Sequence, residues 1–300
     1  MGEWAGNIGG IPFCSTTALD GVISPLLPDH VEVTKLYDEE CPMPAGAVPS
    51  SAAAQLEQMN AGQGWALNFG HGWIESLCHL GLDDMDELNA GDRPAIYLTT
   101  ECNSCEFDYP TLPHVACEEY VLAQGGGVAY VGNTEFGVGA PWLMNWYRNF
   151  LTLMYAQPGA ALGELVMETT RTFADPAEAQ KPRSDLRWTY LALIFMGDPS
   201  LSVYTDRPGP MAVAPQTGPD HLSVIVTATG AALPGATVAL FSEHRFLFVS
   251  TTDAAGQASF QWLNGPPKPP LTLTVTARRI ASPIGAPSSS FALPRPVPGA

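Results

Sequence analysis

The sequence predicts an α/β fold with a mainly parallel sheet, followed by a small antiparallel β-sandwich. Two short apolar runs, residues 65–69 and 95–99, have the length and the aromatic or β-branched content of buried strands, and a polar helical segment separates them. Strand, helix and strand on this scale form a βαβ unit, so the two strands should be parallel and close in one sheet. From Met211 onwards, short alternating runs separated by turn residues replace this pattern, which is typical of a sandwich.

The α/β part is predicted to occupy residues 1–207. Its elements, in chain order, are a strand over 31–37, a helix capped by Ser50 and running to about Asn60, the 65–69 strand, a helix over 82–89, the 95–99 strand, a helix over 115–123, a strand over 128–132, and helical patterns over 142–155 and 161–173. A turn at 197–201 closes this domain. Strands that alternate with helices indicate a layered α/β structure with a mainly parallel sheet.

The second domain is predicted over residues 208–300, where the composition changes at Pro208-Gly209-Pro210. Its strands are expected at 222–227, 236–241, 246–251, 257–262 and 271–277, with Gly- and Asp-containing turns between them. The tail beyond Ser282 is rich in proline and serine, which indicates a linker or an edge segment.

The composition excludes several classes of function. The chain has 300 residues, of which 46% are hydrophobic and 14% charged, as in globular proteins. Its formal net charge of −17 argues against nucleic acid as a partner, because phosphates could not be neutralised in quantity. No apolar run approaches the length of a membrane-spanning helix. The N-terminus lacks the features of a signal peptide, yet the acidity suits a salty or extracellular setting, and we expect a secreted or cell-surface protein.

His71 and Cys102 are the predicted catalytic pair. Each follows one of the two predicted parallel strands, so both should lie where open α/β sheets place their chemistry, past the carboxyl ends of the strands. A thiol and an imidazole at that edge are a nucleophile and its base. Gly70 and Gly72 flank the histidine and allow a tight backbone that exposes the N–H of Gly72, as an oxyanion hole requires.

The cysteines also permit a second interpretation, a zinc site. All six lie in the first 117 residues, and Cys102-x-x-Cys105 has the spacing of zinc ligands, with Cys78-His79, His114 and Cys117 as further candidates. An even number of cysteines permits disulfides, but a domain of this size does not need them. We therefore expect Cys105 and Cys117 to be packed or weakly reactive thiols.

Four motifs in this order resemble the gingipain family of cysteine peptidases. They are Gly70-His71-Gly72 after a strand, Cys102 followed by Phe107-Asp108-Tyr109-Pro110, the strand at 127–132, and Gly197-Asp198-Pro199-Ser200-Leu201 before the sandwich. The resemblance spans residues from about Val31 to Ala277. It implies a caspase-like three-layer α/β/α domain with an immunoglobulin-like module after it, and cleavage of peptide bonds in protein or peptide substrates through a His–Cys dyad.

The resemblance also implies roles for individual residues. His71 would be the general acid/base, Cys102 the nucleophile, and the N–H groups of Gly72 and Cys102 the oxyanion hole. An acidic group at the base of the pocket would favour Arg or Lys before the cleaved bond, and Glu3 falls near such a position. Trp142 would line the pocket from the loop after the 128–132 strand, where the sequence departs from the family's pattern.

Further expectations follow from the same resemblance. No cofactor is required, and a structural calcium ion would suit the many carboxylates, although no loop carries a recognisable ligand pattern. The family has a further N-terminal subdomain and a propeptide, so this chain resembles an N-terminally truncated member. Two other functions stay open, namely a catalytically inactive caspase-like binding or assembly module and a zinc-stabilised structural domain.

Overall fold

The computed structural model describes most of the chain and divides it into two compact units, Met1–Val203 and Tyr204–Ala300. The described residues are 2–3, 6–8, 11–13, 19–38, 41, 43–91, 93–138, 142–173, 180–181, 184–205, 210–242, 245–262, 267, 270–277 and 288–293, with the backbone alone at 2–13 and 288–293.

The first unit contains eleven described strands and six described α-helices. In chain order they are β1 (Gly2–Glu3), β2 (Gly6–Ile8), β3 (Ile11–Phe13), β4 (Leu36–Tyr37), β5 (Val48–Pro49), α1 (Ala52–Asn60), β6 (Trp65–Asn68), β7 (Ser76–Leu77), β8 (Leu80–Gly81), α2 (Leu82–Met85), β9 (Ile96–Thr99), α3 (Ala116–Leu122), β10 (Ala129–Asn133), α4 (Met144–Ala156), α5 (Leu162–Phe173), α6 (Asp185–Ala192) and β11 (Leu193–Gly197). A π-helical turn at Leu19–Ile23 and a 3₁₀ turn at Ser24–Leu26 precede β4.

The main sheet has the strand order β11-β10-β9-β6. Strands β6, β9 and β10 are parallel, and β11 joins the edge of β10 in the antiparallel direction. The predicted parallel pairing of the strands that precede His71 and Cys102 is therefore present, with Asn68 opposite Thr99 as the last pair. Strands β1, β4 and β5 form a separate small parallel sheet.

Alternate residues of the main sheet enter two hydrophobic cores. Leu67, Leu98 and Val131 belong to one core, which also contains the inner faces of α4 and α5. Tyr97 and Tyr130 belong to the other, which contains residues of α1, α2 and α3. Because side chains of a strand alternate between its faces, a sheet buried on both sides needs nearly continuous apolar strands, as the sequence has.

Local signals in the sequence explain where helices α1 and α3 begin and end. The Ser51 side chain accepts a hydrogen bond from the N–H of Ala54 at 3.2 Å and caps α1, one residue later than predicted. Helix α3 ends at Leu122, shortly before the glycine run 125–127, where a β-carbon on Gly127 would lie 2.0 Å from the ring of Tyr120. Those glycines therefore permit close packing between the helix and strand β10.

Two predicted elements of the first unit are shorter in the structure, and several of its strands, β11 among them, were not predicted. Of the predicted strand 31–37, only Leu36–Tyr37 pairs, because its partner β5 is equally short. The helix predicted over 82–89 ends at Met85, where turns take over. Strand β11 was not predicted, since helix α6 runs directly into it without a turn residue between them.

The second unit consists of two antiparallel sheets, built from β12 (Met211–Thr217), β13 (His221–Ala228), β14 (Ala231–Ala232), β15 (Thr237–Ser242), β16 (Arg245–Thr251), β17 (Gln257–Gln261), β18 (Leu271–Thr276) and β19 (Ser288–Leu293). One sheet has the order β12-β13-β14 with β17 also paired to β13, and the other the order β16-β15-β18-β19. Alternate residues from both sheets share one core, including Val224, Leu240 and Leu273. Strand β12 was not predicted, and β19 is the edge strand formed by part of the Pro- and Ser-rich tail.

No helix in the described ranges is both long enough and apolar enough to cross a membrane.

Candidate active site

His71 and Cys102 follow their strands at the same offset. Each lies three residues after the last paired residue, His71 after Asn68 and Cys102 after Thr99. The pairing continues one step further, because the N–H of Thr100 donates to the carbonyl oxygen of Asn68 at 3.2 Å. The two predicted catalytic residues are thus carried by neighbouring segments at the carboxyl edge of the main sheet.

Gly72 and Glu101 bring these two segments into direct contact. A β-carbon at position 72 would lie 2.7 Å from the carboxyl carbon and from Oε2 of Glu101. The residue after His71 therefore packs on the side chain of the residue before Cys102. Glycine is required here by this close approach, since any larger residue would displace the buried carboxyl.

Cys102 lies in a partly buried setting as a free thiol. Burial raises the pKa of its thiol, and the nearby Glu101 carboxyl raises it further, while a hydrogen bond from the backbone N–H of Gly137 opposes both. The isolated thiol is therefore protonated at neutral pH, and it needs a base to become a nucleophile.

His71 has the properties of that base. Burial lowers the pKa of its imidazole, and the negative charge of Asp38 partly opposes the shift. A largely neutral ring can accept a proton, and a carboxylate nearby stabilises the imidazolium that results. Asp38 also contacts His79, whose Nε2 lies 3.2 Å from Oδ1 of the carboxylate.

The loop after β10 is the third segment of the site. The side-chain amide of Asn133 donates to the carbonyl oxygen of Glu101 at 2.8 Å, and the N–H of Asn103 donates to the carbonyl oxygen of Glu135 at 3.0 Å. Asn103 itself has a left-handed backbone, with φ of 53°. These bonds hold residues 100–105, the nucleophile segment that carries Cys102, against the loop that presents Gly137 to the sulfur.

A disulfide fixes the other end of the nucleophile segment. Cys105 is bonded to Cys117 at the start of α3, with 5.1 Å between their α-carbons, and both residues are fully buried. The expectation that they are thiols was therefore wrong, because the turn after Cys102 brings two distant positions within bonding distance. Cys41 is disulfide-bonded as well.

The disulfide also makes Cys105 and Cys117 unavailable as ligands for the predicted zinc site. Among the described residues, no three His, Cys, Asp or Glu side chains are grouped so as to hold a metal ion. The structural calcium ion stays an untested prediction.

The predicted oxyanion hole consists of two backbone N–H groups, those of Gly72 and Cys102. Within the described residues, neither the N–H of Gly72 nor that of Cys102 donates to another protein group. Free N–H groups beside a nucleophile can stabilise an oxyanion.

The two predicted pocket residues, Glu3 and Trp142, lie in different segments of the first unit. Glu3 lies on β1, opposite Tyr37 of β4, and its side chain lies outside the described residues. Trp142 precedes α4, and its ring packs edge-on against Phe173 with 6.3 Å between the centroids. In the loop between β10 and α4, the residue that contacts the Cys102 sulfur is Gly137, through its backbone N–H.

Sequence reasoning missed Asp38, Glu101, Asn133 and Gly137. The position of Asp38 directly after a strand was a usable signal, as it was for His71 and Cys102. The others act through contacts between segments far apart in the chain, which no local pattern indicates.

Comparison with known proteins decides the family. The model of peptidase family C25 matches residues 4–204. The chain belongs to peptidase family C25. It is thus a member of a family of cysteine peptidases, and the expected resemblance to the gingipains is confirmed.

Solved structures place the C25 chain in a gingipain-like fold. The complex of Porphyromonas gingivalis RgpB pro- and mature domains matches with a TM-score of 0.58 and 17% identity, covering 91% of this chain and 62% of that one. The Arg-specific cysteine proteinase gingipain R (RgpB) matches with a TM-score of 0.55 and 18% identity, covering 85% and 57%. A third structure, described as a protease, has a TM-score of 0.53 and 14% identity, covering 79% and 56%. The C25 chain thus spans less than two thirds of each matched chain, and no curated protein sequence matches it.

Proposed function

We propose that this C25 peptidase is a cysteine endopeptidase in which His71 and Cys102 form the catalytic dyad. The equal offset of the two residues from the paired ends of β6 and β9 is the single observation that carries the proposal. The contact between Gly72 and the Glu101 side chain supports it, because it holds the two segments together at that edge.

The chemistry would be acyl transfer through a thioester. His71 takes the proton of the Cys102 thiol as the sulfur attacks the scissile carbonyl carbon, and it then delivers that proton to the leaving amine as the peptide bond breaks. Water attacks the thioester with His71 as base, which releases the carboxylic acid and restores the thiol. The free N–H groups of Gly72 and Cys102 would bind the oxyanion at both stages. No cofactor is needed in any step.

Asp38 would assist His71 without contacting the substrate. Its charge favours the imidazolium that forms when the thiol loses its proton. The N–H of Gly137 would stabilise the other charged partner, because its hydrogen bond to the Cys102 sulfur favours the thiolate.

We assign finer features of the fold on the same basis. The main sheet with a hydrophobic core on each face supports a caspase-like three-layer catalytic domain. The two antiparallel sheets that share one core support an immunoglobulin-like module. We take residues 1–207 and 208–300 as the two domains.

The substrate would be a protein or peptide, with Glu3 and Trp142 as candidates for its binding pocket. The buried disulfide favours a secreted or cell-surface location, because oxidising conditions are maintained there.

Substitution of the dyad tests the function. Cys102→Ala and His71→Ala should each lower turnover of a fluorogenic peptide library by at least about a thousandfold, because the nucleophile or its base is removed. Cys78→Ser is the matched control, since Cys78 is the other free thiol among the described residues. Cys102→Ala should also abolish labelling by a thiol-directed electrophile. Retained turnover in Cys102→Ala would overturn the assignment, and circular dichroism would check that each variant folds.

A further inference from the structure

Glu101 is a fully buried carboxyl between the two halves of the proposed dyad. It directly precedes Cys102, and its exposed fraction is 0%. Its carboxyl group lies beneath Gly72, the residue after His71, with Oε2 on the side that the missing β-carbon would occupy. A single side chain therefore touches both segments that the reaction needs.

The backbone and side chain of Glu101 are held by three strands. Oε1 accepts hydrogen bonds from the side-chain amide of Asn68 on β6 and, at 3.2 Å, from the hydroxyl of Tyr97 on β9. The N–H of Glu101 donates to Thr99 Oγ1 at 3.0 Å, and its carbonyl oxygen accepts from Asn133 at the end of β10. With this many partners the carboxyl cannot rotate into solvent without breaking buried hydrogen bonds.

The two carboxyl oxygens have unequal surroundings. Oε1 receives both side-chain donors, whereas Oε2 makes no hydrogen bond of ordinary geometry within the described residues. The N–H of Cys78 and the hydroxyl of Ser104 lie near enough to the carboxyl to favour its charged form to some extent. In the neutral acid the proton resides on Oε2, because Oε1 already accepts twice, and Oε2 then lies against Gly72 as an O–H group.

The electrostatic surroundings favour this neutral form. Burial raises the pKa of Glu101 to about 8, and hydrogen bonds from Tyr97, Cys78, Asn68 and Ser104 only partly oppose it. The Glu101 charge raises the pKa of acids on several elements packed against it: Tyr97 on β9, Tyr130 on β10, Tyr147 on α4, Cys78 in the turn between β7 and β8, and Cys102. Strand β6 contributes the neutral side chain of Asn68. Within the described residues, no cation contributes to its charge balance.

We propose that Glu101 is a positioning residue that, as a neutral acid, holds the His71–Gly72 segment against Cys102, and that its ionisation switches the dyad off on the alkaline side. The inference rests on the proposed function, since it concerns the same dyad. Ionisation would bury a negative charge beside the sulfur, and the thiolate would then have to form next to a like charge. The neutral acid avoids this repulsion while keeping both hydrogen bonds to Oε1.

The substitution Glu101→Gln separates charge from shape. Its amide oxygen can accept from Asn68 and Tyr97 while its NH₂ group takes the place of the acid O–H against Gly72. The variant therefore copies the neutral acid and cannot ionise. Glu101→Ala removes the contact altogether, and Glu164→Gln is the matched control, because Glu164 lies on α5 with an exposed side chain.

The experiment measures two pH profiles on the full chain from pH 5 to 10. One is kcat/KM for a fluorogenic peptide, and the other is the rate of iodoacetamide alkylation at Cys102, followed by peptide mass mapping. In the wild type, kcat/KM should fall about fivefold from pH 8 to pH 9 as Glu101 ionises. Glu101→Gln should lack this limb and should alkylate about threefold faster or more at pH 9, whereas Glu164→Gln should match the wild type. Glu101→Ala should lose kcat at all pH values.

A second variant tests the same idea if Glu101→Gln does not fold. Tyr97→Phe removes a donor that favours the charged carboxylate, so the alkaline limb should move to higher pH. The same alkaline limb and the same alkylation profile in wild type, Glu101→Gln and Tyr97→Phe would overturn the inference. Full turnover by Cys102→Ala would instead overturn the proposed function, so the two failures are distinguishable.

Discussion

The side-chain amide of Asn133 donates a buried hydrogen bond of 2.8 Å to the carbonyl oxygen of Glu101, one residue before the candidate nucleophile. This bond joins the end of β10 to the segment after β9, where the backbone has left the sheet and has no ladder partner. It makes the third strand part of the site, although no residue of that strand was predicted to have a role in it.

Asn133→Ala should therefore loosen the nucleophile segment. The carbonyl oxygen of Glu101 would be left buried without its donor, which costs about 1–3 kcal/mol of unfolding free energy. We expect a lower midpoint of urea denaturation and a lower kcat. Asn60→Ala is the control, because Asn60 makes a similar bond, to the carbonyl oxygen of Glu87, at an exposed site. Equal effects of the two substitutions would contradict the role given to Asn133.

Gly72→Ala should damage activity through packing. The new β-carbon would lie 2.7 Å from the Glu101 carboxyl, which is held by its own hydrogen bonds, so one of the two segments must shift. We expect a loss of about 1–3 kcal/mol in stability and at least a tenfold loss of kcat/KM. Gly64→Ala is the matched control, since a β-carbon there would meet nothing within 4 Å. Wild-type kinetics in Gly72→Ala would show that the contact does not matter.

Asp38→Asn should move the acid limb of the pH profile. The Asp38 charge raises the pKa of His71, so its removal should lower that pKa and shift the acid limb of kcat/KM to lower pH. The substitution should also reduce kcat/KM at neutral pH, because the imidazolium is less stabilised. His79→Gln changes the other contact of Asp38 and keeps its charge, so it should leave the acid limb in place. An unshifted limb in Asp38→Asn would remove Asp38 from the proposed mechanism.

Glu101 should make the folded state less stable as the pH rises. Its pKa is about 8 in the folded protein, against 4.5 for the ordinary side chain, so between these values the folded state keeps a proton that the unfolded state has lost. The contribution of this group to stability is therefore greatest below about pH 4.5 and decreases up to about pH 8. Calorimetric melting should show that Glu101→Gln raises Tm relative to the wild type more at pH 8 than at pH 4.5, by several degrees. A pH-independent difference in Tm would contradict the buried neutral acid.

Removal of the Cys105–Cys117 disulfide should destabilise the nucleophile segment. The bond closes a loop with a sequence separation of 12, for which the chain-entropy model gives about 3 kcal/mol. We expect the double variant Cys105→Ser/Cys117→Ser to have a lower Tm and to lose activity on mild heating before the wild type does. Cys78→Ser should have a smaller effect on both. A reductant should lower the Tm of the wild type by more than that of the double variant, in which only the disulfide of Cys41 remains to be reduced among the described residues.

Much of the site could be predicted because its two main residues follow local patterns. The apolar runs before His71 and Cys102 identify two strands, and the intervening helix implies that those strands are parallel. The pairing puts two segments that are 31 residues apart in sequence at one edge. Asp38 directly follows the predicted 31–37 strand, but its role was missed because its charge acts on His71 through space, between segments far apart in the chain.

The sequence by itself determined most helices of the first unit, the parallel strands β6, β9 and β10, the positions of His71 and Cys102 at strand ends, and the change to antiparallel sheets in the second unit. These features depend on hydrophobic periodicity and turn residues, which act over a few positions. Only the tertiary structure decided that Cys105 bonds Cys117, that Asn133 reaches Glu101, and that Glu101 is buried. Burial and bonding between distant segments depend on how the chain packs in three dimensions, and it is burial that sets the charge of the carboxyl beside the nucleophile.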